Sequence, residues 1–334
     1  MTKVAVVGCG GMGTIHADRY MSMPEAELVA VCDINEQAAA SLGRTTGAPH
    51  FTSFQEMLEQ AKPDAVSIAV PTYLHVPLVK QAAENGVHVI CEKPIALTSE
   101  EAAKALRICE EYGVRLFVGH VVRFFPQYVQ LAEKVELFGG DRGGVYHAKR
   151  AGSHPALVQP WFKETDKSGG VILDLMIHDI DYILGTFGEA VEVYAFNRVT
   201  DDLDYAAATF RFRNGTIAQL EAFWGYPGPF HTAFEYASAG GIVRADSSDA
   251  ESLRVRSAAP AGSGSAFVET PQSVMLQDPY YRELRHFLEC LRSGEKPIVT
   301  AQDALLAIRW AEAALKSVRS GLPEKPSEEE DGLR

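Results

Sequence analysis

The sequence predicts an α/β domain built on a doubly wound parallel sheet, followed by an α+β domain with a large, mainly antiparallel open sheet. Up to residue 123, short β-branched runs alternate with helical patterns, as in a parallel sheet covered on both faces. Beyond residue 124 the runs lengthen, alternate apolar with polar residues and are separated by turn signals, as in an antiparallel meander. At 334 residues the chain also exceeds the size at which single cores stop growing, so two domains are expected.

In the first domain, 1–123, strands are expected at 3–8, 27–33, 64–70, 87–91 and 114–119, with helices near 14–22, 35–42, 53–61, 75–85 and 99–112. The last of these starts with Thr98 or Ser99 as cap and early acids that suit the positive end of the helix dipole. The second domain, 124–323, carries alternating runs at 191–199, 205–212 and 216–224, and Arg213-Asn214-Gly215 is a hairpin signal because Asn and Gly tolerate positive φ. Residues 256–274, rich in Ser, Ala, Gly and Pro, suggest a loop at the rim of the sheet. Two amphipathic helices, near 279–293 and 301–319, close the fold, the last one a candidate to pack back on the first domain. The charged tail 324–334 has few apolar residues and is expected to be disordered.

A formal charge of -13 argues against nucleic acid, whose binders need clustered positive charge. No apolar run reaches the length of a membrane span. Strand-forming residues begin at Lys3, leaving no room for a signal peptide, so the cytoplasm is the expected compartment. Cysteines 9, 32, 91, 109 and 290 form no C-x-x-C pair and suggest reduced thiols, with Cys9, Cys32 and Cys91 as small buried hydrophobes.

The stretch "VAVVGCGGMGTIHA" places Gly8, Gly10 and Gly13 in G-x-G-x-x-G spacing between a strand and a helix, with Gly11 and Met12 inside the loop. Gly8 permits the tight turn, Gly10 lets backbone approach a pyrophosphate, and Gly13 lets helix pack on strand. The phosphates then meet the helix N-terminus. Asp33 ends the second strand, 20 positions beyond Gly13, where a carboxylate accepts ribose hydroxyls and repels a 2'-phosphate. This is a Rossmann fingerprint, and NAD is expected over NADP. Pro71, Thr72 and His75 leave the third strand at the same carboxyl edge and are expected to line the ribose and nicotinamide end, although His75 equally suits a helix cap or a surface position.

The run "VICEKPIAL" then ends a strand in Glu92 and Lys93 before Pro94. A buried unpaired ammonium is costly, so Lys93 at this edge is expected to work in a pocket alongside Glu92, and a cis Lys93-Pro94 bond is expected at the turn. In "GGVILDLMIHDIDYIL", residues 169–184, Asp174 and His178 are four apart and would share one face of a largely buried helix. They suit either a reactive pair or a structural hydrogen-bond network; a metal site is not expected, because no third ligand stands at metal spacing.

Together, the glycine fingerprint, P-T-x-x-H, E-K-P at 92–94 and G-G-x-x-x-D-x-x-x-H-D-I-D at 169–181 resemble the Gfo/Idh/MocA family of NAD(P)-dependent sugar and polyol oxidoreductases. The resemblance extends to about residue 320. It implies that Lys93, Asp174 and His178 line the place where substrate meets nicotinamide, and that the C-terminal sheets pair into homodimers or homotetramers. Oxidation of a secondary alcohol would then use His178 as base, with Lys93 stabilising the oxygen and Asp174 orienting a hydroxyl or partnering the other two; Lys93 as base is the alternative. Arg123, His147, Arg150, His154, Trp161 and Lys163 are further candidates for substrate contact. An NAD-using glycosidase, another carbonyl reductase or a nucleotide-sensing regulator are the competing functions.

Overall fold

The computed structural model describes residues 1–139, 143–249, 253–258, 267–272 and 278–327. The chain forms two compact units, Met1–Phe124 with Gln277–Leu305, and Phe125–Leu276 with Leu306–Arg334.

The first unit begins with β1 (Thr2–Val7), α1 (Gly11–Met21), β2 (Ala26–Cys32), α2 (Glu36–Thr46), β3 (His50–Phe51) and α3 (Phe54–Ala61). It continues with β4 (Ala65–Ile68), α4 (His75–Glu84), β5 (His88–Glu92), α5 (Ser99–Glu111) and β6 (Leu116–Gly119). The six strands are parallel in the order β3-β2-β1-β4-β5-β6. Strand order reverses between β1 and β4, and open α/β sheets bind ligands beside the carboxyl ends at such a point. Side-chain caps start the helices as their sequences demand: Asn35 accepts from Gln37 and Ala38, Ser53 from Glu56, and Thr98 from Glu101. The two-residue β3 was not anticipated, because so short a strand carries no alternation to detect.

The second unit contains α6 (Pro126–Leu137), β7 (Val145–Gly152), the short α7 (Thr165–Ser168), a π-helical turn at Ile172–Met176 and α8 (Ile177–Phe187). Strands β8 (Ala190–Val199), β9 (Asp204–Phe212), β10 (Ile217–Trp224), β11 (His231–Ser238), β12 (Gly241–Asp246), β13 (Leu253–Ala258) and β14 (Phe267–Gln272) follow. They join β7 in an eight-stranded sheet of order β14-β13-β12-β11-β7-β10-β9-β8, antiparallel except for the β7–β10 pair. Alternation decides which face is covered. Tyr146, Ala208, Phe210, Leu220 and Tyr236 are buried, while Val145, Tyr194, Phe196 and Ile217 are exposed on the opposite face. The buried face packs on helices, with Tyr146 against Tyr182 and Phe187 of α8.

Within 256–274, where composition suggested a loop, strand β14 and the end of β13 are found instead; 259–266 and 273–274 lie outside the described residues. Backbone pairing of β13 to β12 and of β14 to β13 forms these strands, so their composition gives little warning.

The chain ends with α9 (Pro279–Ser293) and α10 (Ala301–Ser320). Expected in the second domain, α9 belongs to the first unit: Leu284, Phe287 and Leu288 join the core of Val4, Val6, Tyr20 and Phe117, and Phe287 stacks on Phe117 at 5.1 Å. In α10, Trp310 meets Phe210 of the large sheet and Ser317 Oγ accepts the Ala195 N–H. At the start of the tail, Glu324 exchanges backbone hydrogen bonds with Val193 and its carboxylate meets Lys316, so the expected disorder does not hold at Glu324; 328–334 lie outside the described residues.

Candidate active site

Backbone sterics build the loop after β1. Gly8 has φ +92°, and a Cβ there would stand 2.3 Å from the Ala69 carbonyl oxygen. At Gly13 a Cβ would fall 1.6 Å from the Gly8 carbonyl oxygen, so only glycine allows α1 to start this close to β1. Gly10 is the N-cap and provides no side-chain cap, so the first N–H groups of α1 are left to the exposed mouth of the loop formed by Gly10 and Gly11, with Met12 half-buried beside them. Asp33 holds the loop in place, its carboxylate accepting the Cys9 N–H at 2.7 Å and the Asn35 N–H at 2.8 Å. Open space around Gly11 and an uncapped helix N-terminus beside a fixed carboxylate fit a dinucleotide.

One side chain lies between the ends of β4 and β5. The His75 ring meets the Val70 carbonyl at 2.9 Å and the Pro94 carbonyl at 2.8 Å, and is buried. Burial pushes this imidazole toward the neutral form, opposed by the two carbonyls and the Glu92 charge. A neutral ring donates to one of these carbonyls and lies against the other, so His75 packs between the two loops. Thr72 is buried and Pro71 half-buried beside it.

The Lys93-Pro94 bond is cis, as expected. Lys93 itself is half-buried, directly after the buried Glu92. One Glu92 oxygen meets His16 Nε2 at 2.9 Å and the other accepts the Lys93 N–H at 3.3 Å. Burial pushes the Glu92 carboxyl up, but the His16 bond and the charges of His16 and Lys93 outweigh it and hold the group below its ordinary value. Glu92, expected among the cofactor-contacting residues, thus spends its carboxylate inside the fold. His16 was missed in the sequence; its place on the buried face of α1, one turn after Gly13, was the available signal.

In the second unit, Gly169 and Gly170 have φ +73° and +71° and lead into the π-helical turn that carries Asp174. His178 follows in α8. Asp174 and His178 are half-buried while Leu173, Leu175, Met176, Ile177 and Ile180 are buried, so these two are the more open polar side chains of a segment whose Asp179 and Asp181 are buried. A regular α-helix was expected across 172–176; the π turn replaces it, a form enriched at functional sites.

The further candidates separate. Arg150 is a correction: instead of lining a site it is buried in a two-pronged pair with Asp179, both contacts at 2.9 Å, and touches Tyr128. His147 lies on the exposed face of β7, opposite the face that carries Tyr146 and Arg150. Arg123 meets Asp303 at 3.7 Å. His154 meets Trp224 at a tilt, with centroids 5.4 Å apart; Trp224 also meets Phe162 edge to face, and Trp161 stacks on Phe162 at 3.8 Å. Lys163 is exposed. Trp224, Ser168 and Asp204 were missed.

These features define a dinucleotide-binding α/β domain joined to an α+β domain whose helix presents an acid and an imidazole. Residues 2–120 match a model described as an oxidoreductase family with an NAD-binding Rossmann fold, 135–243 the GFO/IDH/MocA C-terminal domain, and 246–324 an oxidoreductase-family C-terminal alpha/beta domain. The chain is 31% identical over 336 residues to scyllo-inositol 2-dehydrogenase (NAD(+)) of Bacillus subtilis, covering 96% of this chain and 95% of that one. It is 29% identical to myo-inositol 2-dehydrogenase of Thermotoga maritima, covering 95% and 96%. The solved structure of UDP-N-acetylglucosamine 3-dehydrogenase GnnA from Acidithiobacillus ferrooxidans superposes with a TM-score of 0.80 at 25% identity, covering 96% and 98%. The chain belongs to the Gfo/Idh/MocA family of NAD(P)-dependent oxidoreductases. Among the described residues, no helix is long and apolar enough to cross a membrane, and no cluster of three or more His, Cys, Asp or Glu is arranged to hold a metal ion.

The lowered Glu92 pKa fixes a sign. Its contribution to stability is present above the ordinary carboxylate pKa of about 4.3 and is lost as pH falls through the depressed folded value. Glu92→Gln is expected to destabilise the protein at neutral pH by about 1–3 kcal/mol, and the deficit to shrink on acidification below pH of about 4. Urea unfolding of both proteins across pH measures this; a deficit independent of pH contradicts it.

Proposed function

We propose that this chain is an NAD-dependent dehydrogenase of secondary alcohols in inositols, sugars or related polyols. The observation that carries this reading is the match along nearly the whole chain to scyllo-inositol 2-dehydrogenase (NAD(+)), together with the NAD-binding Rossmann match; Lys93, Asp174 and His178 are the residues to which the reading assigns the chemistry. Bound NAD supplies the hydride acceptor. Gly10 to Gly13 offer backbone N–H groups to the pyrophosphate, and the Asp33 carboxylate, fixed by Cys9 and Asn35, accepts ribose hydroxyls and disfavours a 2'-phosphate.

In this reading His178 removes the hydroxyl proton while the Lys93 ammonium donates a hydrogen bond to the same oxygen and stabilises the charge that develops there. Asp174 orients a neighbouring hydroxyl, which suits a substrate with several. The large apolar side chains exposed on the open face of the large sheet, Val145, Tyr194, Phe196 and Ile217, support assembly through that face into a dimer or tetramer.

Steady-state assays with a panel of inositols, sugars and sugar acids, each with NAD and NADP, test the reaction. Net reduced dinucleotide is expected with at least one polyol and with NAD preferred; no net reduction by any of them overturns the proposal. Lys93→Ala and His178→Ala are each expected to lower kcat/KM by about a hundredfold or more, and a loss under about tenfold in both removes them from the chemistry. Sedimentation of the purified chain is expected to give a dimer or tetramer, with Phe196→Asp shifting it toward monomer; a monomeric wild type refutes that interface.

A further inference from the structure

We propose that Asp204, the first residue of β9, is a positioning residue that sets the placement of Asp174 and His178 by holding the backbone ahead of the π-helical turn. The inference rests on the assignment of those two residues to the reaction.

The segment before the turn has two consecutive glycines with positive φ, a conformation that lacks the regular hydrogen bonds of a helix start. Two buried side chains collect the N–H groups that follow. Ser168 Oγ accepts the Gly170 N–H at 3.2 Å and donates to the Phe162 carbonyl at 3.1 Å. Asp204 Oδ2 accepts the Val171 N–H at 3.0 Å, and Oδ1 accepts the Asn197 side-chain amide at 2.7 Å. Val171 precedes Asp174 by three residues, and the N-cap of the turn provides no side-chain cap of its own. The capping carboxylate therefore comes from a strand 33 residues away in sequence. A Cβ on Gly170 would stand 3.1 Å from Asp204 Oδ2, so the glycine leaves room for the carboxylate.

The arrangement costs stability as an isolated group. Asp204 is 7% exposed, and burial pushes its carboxyl up despite the Val171 and Asn197 bonds and the nearby His154. A carboxylate that burial disfavours is poorly explained by stability alone, and its two accepted bonds fix the rotation of the turn that presents Asp174 and, one turn on, His178.

The test compares Asp204→Ala and Asp204→Asn with wild type in kcat, KM for the alcohol, Kd for NAD and thermal unfolding. In Asp204→Asn the side-chain oxygen still accepts the Val171 N–H, while the new amide faces Asn197, whose own amide turns over. Asp204→Ala is expected to lower kcat by about tenfold or more with KM and Kd for NAD changed by less than about threefold, and Asp204→Asn to keep about a third or more of wild-type kcat. Wild-type kcat in Asp204→Ala, or equal losses in the two variants, overturns the proposal. If Asp204→Ala does not fold, Ser168→Ala carries the test, with a fall in kcat at unchanged KM expected and an unchanged kcat overturning it. Asp174→Asn and His178→Ala run alongside: if both keep activity the assignment of the reaction has failed, and if they lose it while Asp204→Ala does not, the positioning role alone has failed.

Discussion

The contact between Gly13 and the Gly8 carbonyl is the constraint on which the first unit depends. Any side chain at residue 13 would collide with that oxygen, so the two glycines together set how closely α1 begins against β1. Because α1 starts there, its uncapped N–H groups face the carboxyl edge of the sheet, where β1 and β4 diverge. The same contact carries His16 on α1 into hydrogen-bond range of Glu92, which immediately precedes Lys93. A helix placed to receive phosphate thereby also supports the strand end that carries the lysine.

Polar side chains, buried except for the half-buried Asp33, repeat one device across both units: each binds backbone, and each holds a loop of the candidate site. Asp33 holds the glycine loop, His75 packs between the β4 loop and the β5 turn, Glu92 takes the Lys93 N–H, and Asp204 takes the Val171 N–H. A buried polar group left unsatisfied costs about 1–3 kcal/mol, so these side chains are committed to one geometry and their loops with them. Burial sharpens that commitment, since bulk water does not compete for the bonds.

Much of this was legible in the sequence because it depends on local pattern. Strand periods, the spacing of Gly8, Gly10 and Gly13, and the Thr98 cap are short-range signals, and the elements formed where those signals stood. What escaped was set by partners distant in the chain. Asp204 sits in a run of acids that suggests a turn, and only the fold brings Val171 to it. Arg150 looked like a site residue until Asp179 claimed it, and the apolar stripe of α9 does not say which sheet it covers. Strand β14 formed in a stretch whose composition resembles a loop, because backbone pairing asks little of side chains at a sheet edge. The π turn at 172–176 keeps an apolar pattern that a regular helix would also show.

Hydride transfer from a polyol carbon to NAD is the event that all of these placements serve in the proposed reaction. Its most direct test is a single turnover with an inositol or sugar deuterated at the carbinol carbon, followed by mass spectrometry of the recovered dinucleotide. NADH carrying the deuterium is the predicted product, together with a slower turnover than with the undeuterated alcohol. Dinucleotide recovered as unlabelled NAD, with the alcohol unchanged or merely hydrolysed, would contradict it.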